Sequence, residues 1–212
     1  MQEELGKLQD YQLRHRQFPE RHLIYFFLNE STGFIAVSSP NTGGNWNMDF
    51  MKTTNAGTTW ISLPRITFDV GAITTIPRFI FLNENIGYFW TYKRVYKTTN
   101  GGINWTLILG PDFLNPSTKI YDLLISRSNQ SLIYVAGGTA GLTAGEVGGS
   151  YLAKSINEGN SFETIYDGSL NNSDIKNIGF LSLNSDGVLN MAGSGGIGYL
   201  ANNNVIVFHQ IH

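Results

Sequence analysis

Along most of the chain, apolar residues come in runs of about five to seven separated by clusters of Gly, Asn, Ser and Thr. Runs this short, rich in Ile, Val, Phe and Tyr and bounded by turn formers, predict β-strands rather than helices. The clearest cover residues 22–28, 33–37, 78–82, 87–92, 120–125, 131–136 and 205–208. After residue 22 no long stretch places apolar residues at helical spacing, so the body is predicted to be all-β. Residues 1–21 differ. They hold eight of the thirty charged side chains, from Glu3 to Arg21, and read as a polar lead-in to a domain spanning 22–212, with a short helix carrying Leu5, Leu8 and Leu13 as the alternative.

The strands are interleaved with a repeat. Lys52-Thr53-Thr54-Asn55-Ala56-Gly57-Thr58-Thr59-Trp60 recurs as Lys97-Thr98-Thr99-Asn100-Gly101-Gly102-Ile103-Asn104-Trp105, and more loosely as Lys154-Ser155-Ile156-Asn157-Glu158-Gly159-Asn160-Ser161-Phe162. Upstream, Phe27-Leu28-Asn29-Glu30 leads to Gly33-Phe34 as Phe81-Leu82-Asn83-Glu84 leads to Gly87-Tyr88. Asn55, Asn100 and Asn157 lie 45 and then 57 residues apart. The longer interval contains the Gly-rich stretch 137–149, read as an inserted loop. A fourth copy begins at Gly198 but lacks the box and is expected to close as a shorter hairpin. The similar Ser39-Pro40-Asn41-Thr42-Gly43-Gly44-Asn45-Trp46 falls too close to the next copy for a four-stranded unit and is read as a loop.

The spacing has a physical reason. A Ser/Thr hydroxyl and an Asn amide two residues on can both bond nearby backbone groups, and Gly supplies the positive φ that a reversal needs. The aromatic then enters the next strand, where burying its ring removes about 150–250 Å² from water.

These units resemble the Asp-box, or BNR, repeat of sialidases and of β-propeller proteins similar to the photosystem II stability and assembly factor. The family pattern, Ser/Thr-x-Asp-x-Gly-x-x-Trp, falls on Thr53, Asn55, Gly57 and Trp60, on Thr98, Asn100, Gly102 and Trp105, and on Ser155, Asn157, Gly159 and Phe162. Every copy carries Asn in place of the aspartate, so the turn is expected without any role that depends on charge. The Lys-Thr-Thr-Asn-Gly-Gly form with Gly-Tyr upstream looks most like the assembly-factor group. The resemblance implies a β-propeller of about four four-stranded blades, placed at 22–70, 71–117, 118–170 and 171–212. The blades would form a small closed ring, an arc completed by another chain, or part of a larger propeller. The closed ring is favoured here, with residues before 30 adding a strand to the last blade. The resemblance further implies export to the periplasm or cell exterior, and a non-enzymatic binding or assembly scaffold that engages a protein partner through loops on one face, without a cofactor. The alternative is a carbohydrate-active protein, sialidase-like or another Asp-box glycosidase, or a glycan-binding module.

Composition narrows the choice. Fourteen Lys and Arg against sixteen Asp and Glu give a net charge of −2, which supplies no drive toward nucleic acid or anionic lipid. No cysteine is present, removing disulfides and thiolate metal ligands. No apolar run reaches the roughly 18 residues of a membrane helix, and the first twenty residues lack a secretory apolar core. A sialidase needs an arginine triad. Outside the lead-in only Arg65, Arg78, Arg94 and Arg127 remain, and the aromatic-Arg-Ile-Pro motif is absent. Among Asp49, Asp69, Asp112, Asp122, Asp167, Asp174 and Asp186 no spacing selects a glycosidase pair. His209 and His212 would fall on opposite faces of a strand, which disfavours a metal site. Gly193–Gly198 lacks the Lys-Ser/Thr of a phosphate loop. The best binding candidates are aromatics beside polar groups: Trp46 in its Asn/Gly-rich surroundings, and Trp90, Tyr92 and Arg94 around one strand end.

Overall fold

The computed structural model describes residues 22–41, 43–68, 78–110, 118–139, 150–167, 176–194, 196–201 and 205–209, and all their regular structure is β. The first sheet takes β1 (His22–Phe27), β2 (Gly33–Pro40) and β3 (Trp46–Thr53). Its outer place is shared by β4 (Ile61–Ser62) and β5 (Ile66–Phe68), both paired with β3. The second sheet is β6 (Arg78–Phe81), β7 (Gly87–Trp90), β8 (Val95–Thr98) and β9 (Thr106–Leu109). The third is β10 (Thr118–Ile125), β11 (Ile133–Thr139), β12 (Ser150–Ser155) and β13 (Glu163–Asp167). The fourth is β14 (Lys176–Leu183), β15 (Leu189–Ser194), β16 (Gly196–Ala201) and β17 (Val205–His209). An antiparallel meander of four strands in chain order is the propeller blade, and the fold is of the β-propeller class.

Three expectations change. Residues 22–27 pair with β2, from His22 opposite Ser38 to Phe27 opposite Gly33, so they open the first sheet rather than extend the last. The segment from Ser39 to Trp46 is not a long loop: β2 runs on to Pro40, which sits opposite Trp46 at the start of β3. Asn41 tightens the reversal, its Oδ1 accepting the N–H groups of Gly43 at 2.9 Å and Asn45 at 3.2 Å. The strand extends because Trp46, Met48 and Phe50 alternate onto one buried face. In the Gly-rich insertion, Gly137 and Gly138 belong to β11, opposite Tyr151 and Ser150. Residues 140–149 lie outside the described residues, as do the lead-in and His212.

The chain divides into two compact units, one comprising Met1–Thr91 with Val95–Leu107, the other Tyr92–Arg94 with Ile108–His212. The first has an aromatic core of Phe34, Phe50, Phe68, Phe79, Phe81 and Phe89. Phe34 and Phe81 stack with ring centroids 3.5 Å apart and planes 3° from parallel. The core of the second is mostly aliphatic: Leu152, Ile178, Leu181, Leu189 and Met191 around Tyr134.

Candidate functional site

The three repeated boxes share one bonding scheme. The hydroxyls of Thr53, Thr98 and Ser155 each accept the N–H of Gly57, Gly102 and Gly159 respectively at 2.9 Å. They donate to the Oδ1 atoms of Asn55, Asn100 and Asn157 at 3.0, 3.1 and 2.9 Å. Each Oδ1 also accepts the N–H four residues on, from Thr59, Asn104 and Ser161, at 2.9 Å. A neutral amide oxygen therefore fills the acceptor role, and the amide nitrogens of Asn55 and Asn157 add donations to Thr59 Oγ1 and Ser161 Oγ at 2.9 and 2.8 Å that a carboxylate could not make. Two successive residues take positive φ in each box: Ala56 (55°) and Gly57 (82°), Gly101 (69°) and Gly102 (89°), Glu158 (61°) and Gly159 (87°). The N–H groups of Ala56, Gly101 and Glu158 donate to the carbonyls of Ser31, Asn85 and Ser131 at 2.8, 2.8 and 3.1 Å, tying each box to the first turn of its own sheet. The aromatics follow suit. Trp60 meets Phe27 edge to face at 6.5 Å, and Trp105 meets the equivalent Phe81 the same way at 5.9 Å. These bonds spend the boxes on structure.

Of the binding candidates, Trp46 is 6% exposed in the core of the first unit, and Trp90 in β7 is 8% exposed. Neither ring offers an open face for stacking. Tyr92 and Arg94 are half-buried in the connection between β7 and β8 and belong, with Lys93, to the second unit. There Tyr92 meets a residue the sequence reading passed over: Tyr121 lies edge to face with it at 5.7 Å, while Lys119 Nζ sits 5.5 Å from the Tyr92 ring centroid. The Ile120 N–H donates to the Tyr92 carbonyl at 2.7 Å, which locks the two segments together.

A β-bulge sets this meeting. The register of β10 on β11 passes from Ile120 opposite Gly137 to Asp122 opposite Ala136, leaving Tyr121 unpaired in the ladder. A Cβ at Gly137 would collide with the Lys119 carbonyl oxygen, so the close backbone approach needs glycine there. A pair of glycines inside a strand-like run was the signal that could have located the bulge. Asp122, just beyond it, accepts the Leu181 N–H at 2.8 Å and the Leu123 N–H at 3.0 Å, fixing β10 to β14. Burial holds the Lys93 ammonium below the usual lysine range, and Lys119 pushes the same way. Burial also raises the Tyr121 phenol, with Tyr92 adding to the effect.

A groove of about 680 Å³ lies farther along the same unit, between the turns 126–132 and 184–188, with Leu124 and Leu183 in its lining and Ser126, Asn129 and Asn184 supplying polar groups. Asn184 Oδ1 accepts the N–H groups of Asp186 and Val188 at 3.0 and 2.8 Å, so that wall is braced from within. Asp49 forms a forked pair with Arg65 at 2.6 and 3.0 Å, and Glu84 lies 3.5 Å from Lys52. Among the described residues no group of three or more His, Asp or Glu is placed to hold a metal ion. Asp69, Asp112 and Asp174 lie outside the described residues.

No family model matches the sequence, and neither does any curated protein. Solved structures do resemble it. One is the GH74 xyloglucanase from Xanthomonas campestris, at 13% identity and a TM-score of 0.55 over 82% of this chain and 28% of that one. Another is an ancestral GH74 enzyme, at 13% identity and a TM-score of 0.52 over 90% of this chain and 32% of that one. The chain thus spans about a third of the length of these β-propeller enzymes, and what it shares with them is the fold.

Proposed function

We propose that this chain is a glycan-binding β-propeller module that does not itself cleave glycosidic bonds. The observation that carries the reading is the pair of half-buried tyrosines, Tyr92 and Tyr121, set edge to face at 5.7 Å with an ammonium beside them. A ring face offers apolar contact to the C–H groups of a pyranose while phenol and ammonium groups hydrogen-bond its hydroxyls. The fold shared with GH74 enzymes, one of them a xyloglucanase, supports a carbohydrate ligand over a protein one. The non-catalytic part of the reading draws on the structural contacts of Asp49, Asp122 and Glu84 among the described residues. Binding to a panel of immobilised polysaccharides tests the proposal. Wild type should be retained on at least one, Tyr121→Ala should lose about tenfold or more in affinity, and no reducing ends should appear. Retention on none of the panel would refute it.

The competing proposal keeps the scaffold and a protein partner. It draws on exposed apolar side chains of the first sheet, Tyr25 at 60% and Ile61 at 63%. A partner whose capture survives Tyr121→Ala and fails with Tyr25→Ser would favour it.

A further inference from the structure

We infer that the groove between the turns 126–132 and 184–188 binds a short peptide segment, with an aromatic side chain on its apolar floor, a basic residue on Asp186 and an acidic one on Arg127. Its occupant is independent of what the tyrosines hold. Equivalent positions in the two units show why the groove exists. The first hairpin of each sheet closes on a matching pair: Phe27 opposite Gly33, Phe81 opposite Gly87, Ile125 opposite Ile133 and Leu183 opposite Leu189. Counting from these pairs sets Phe26 against Leu124, Phe79 against Leu181 and Phe81 against Leu183. In the first unit the three rings fill the space between neighbouring sheets, Phe26 meeting Phe79 at 6.3 Å and Phe81 stacking on Phe34 at 3.5 Å. In the second, all three leucines line the groove of about 680 Å³. The turn between β10 and β11 also has seven residues where the one between β1 and β2 has five. Volume that rings occupy in one unit is open in the other, and a ring brought by a ligand regains the lost contacts.

Charge follows the same comparison. In the first unit Lys52, opposite Phe34 in the ladder, reaches Glu84, its Nζ 3.3 Å from the carbonyl oxygen and 3.5 Å from the carboxylate. The counterparts are Lys154, opposite Tyr134, and Asp186, one methylene shorter than glutamate, and they form no ion pair. Among the described residues the Asp186 carboxylate meets the Ser185 hydroxyl at 3.4 Å and no cation, and Arg127 on the facing turn meets no carboxylate. A sugar has no cation for Asp186, and a simple amine leaves Arg127 unanswered. A peptide carries both charges and the ring together, and gains charge-assisted hydrogen bonds at each wall.

Calorimetric titration with three blocked tripeptides tests this. Acetyl-Lys-Phe-Glu-amide should bind saturably, and acetyl-Lys-Ala-Glu-amide and acetyl-Gln-Phe-Gln-amide about tenfold or more weakly. Leu183→Phe, which restores the ring the first unit has at Phe81, should lower affinity for the first peptide about tenfold or more without lowering the unfolding temperature. Asp186→Asn, on an exposed turn, should lower it about fivefold and keeps the test open if Leu183→Phe fails to fold. Glu30→Gln, the same loss of charge on the equivalent turn of the first sheet, should bind as wild type does. No saturable binding, equal binding of the alanine peptide, or undiminished affinity in a folded Leu183→Phe would overturn the inference, as would a loss in Asp186→Asn matched by Glu30→Gln. Free phenylalanine bound as tightly as the first peptide would assign the groove to single amino acids and overturn the peptide. Retention on polysaccharides is measured separately, so none of these outcomes touches the glycan reading.

Discussion

The two units solve one problem with different materials. In the first, six phenylalanines with Trp46 and Met48 fill the core, and Trp105 touches Phe50, Phe81 and Phe89 at 5.0, 5.9 and 5.0 Å. In the second, Leu, Ile and Met do the filling, and the tyrosines of β10 and of residues 92–94 are left half-buried beside cations. The box geometry is the same in both, to within a few tenths of an ångström. Local turn chemistry is thus conserved within the molecule while packing and surface chemistry diverge. Most of the buried aromatic side chains belong to the first unit, while Tyr92 and Tyr121 of the second are half-buried.

The largest effect should come from breaking the aromatic core. Trp105→Ala is expected to cost roughly 3–5 kcal/mol in denaturant unfolding, and Phe162→Ala, the half-buried counterpart in the second unit, about a third of that. Equal costs would erase the contrast. Trp105→Phe should cost only about 1 kcal/mol, because the buried indole N–H finds no acceptor among the described residues. Next come the hydroxyls. Thr98→Val and Ser155→Ala each strand a buried glycine N–H, and both should cost about 1–3 kcal/mol. A marked difference between them would show that the boxes are not energetically alike. Smaller, and opposite in sign, are Ala56→Gly and Glu158→Gly, each relieving a side chain at φ of 55° or 61°. Each should stabilise by about 0.5–1 kcal/mol.

The smallest effect is in alkali. Burial raises the Tyr134 phenol above its ordinary value, so the unfolded chain gives up that proton first as the pH climbs. The stability this represents is complete below the unfolded value of about 10 and is lost as pH rises through the folded one. Tyr134→Phe should flatten that alkaline limb of a stability-against-pH curve and leave the neutral region without slope change. A limb as steep as before would show that Tyr134 is not its source.

Strands and boxes were legible in the sequence because their causes are local. Thr98, Asn100 and Gly102 bond to one another within a single turn, so residue type and spacing suffice. The first positive-φ position was not marked, since Ala56 and Glu158 are poor advertisements for it. Trp46 was misread because its fate depends on a register, Pro40 opposite Trp46, that its neighbours do not reveal. Tyr92 and Arg94 were singled out by residue type alone. That Tyr121 and Lys119 lie beside Tyr92 was not legible, because it depends on a bulge against Gly137, well along the chain from them.

The boxes also bear on how the protein ages. Asn100 precedes Gly101, and an asparagine before glycine is a common place for the side-chain amide to be lost through ring closure onto the next backbone nitrogen. That nitrogen is bonded to the Asn85 carbonyl at 2.8 Å, and the Asn100 oxygen to the Asn104 N–H at 2.9 Å. Ring closure must wait until the turn opens. The rate at which Asn100 becomes isoaspartate and aspartate is therefore a slow clock that counts the openings of that one turn.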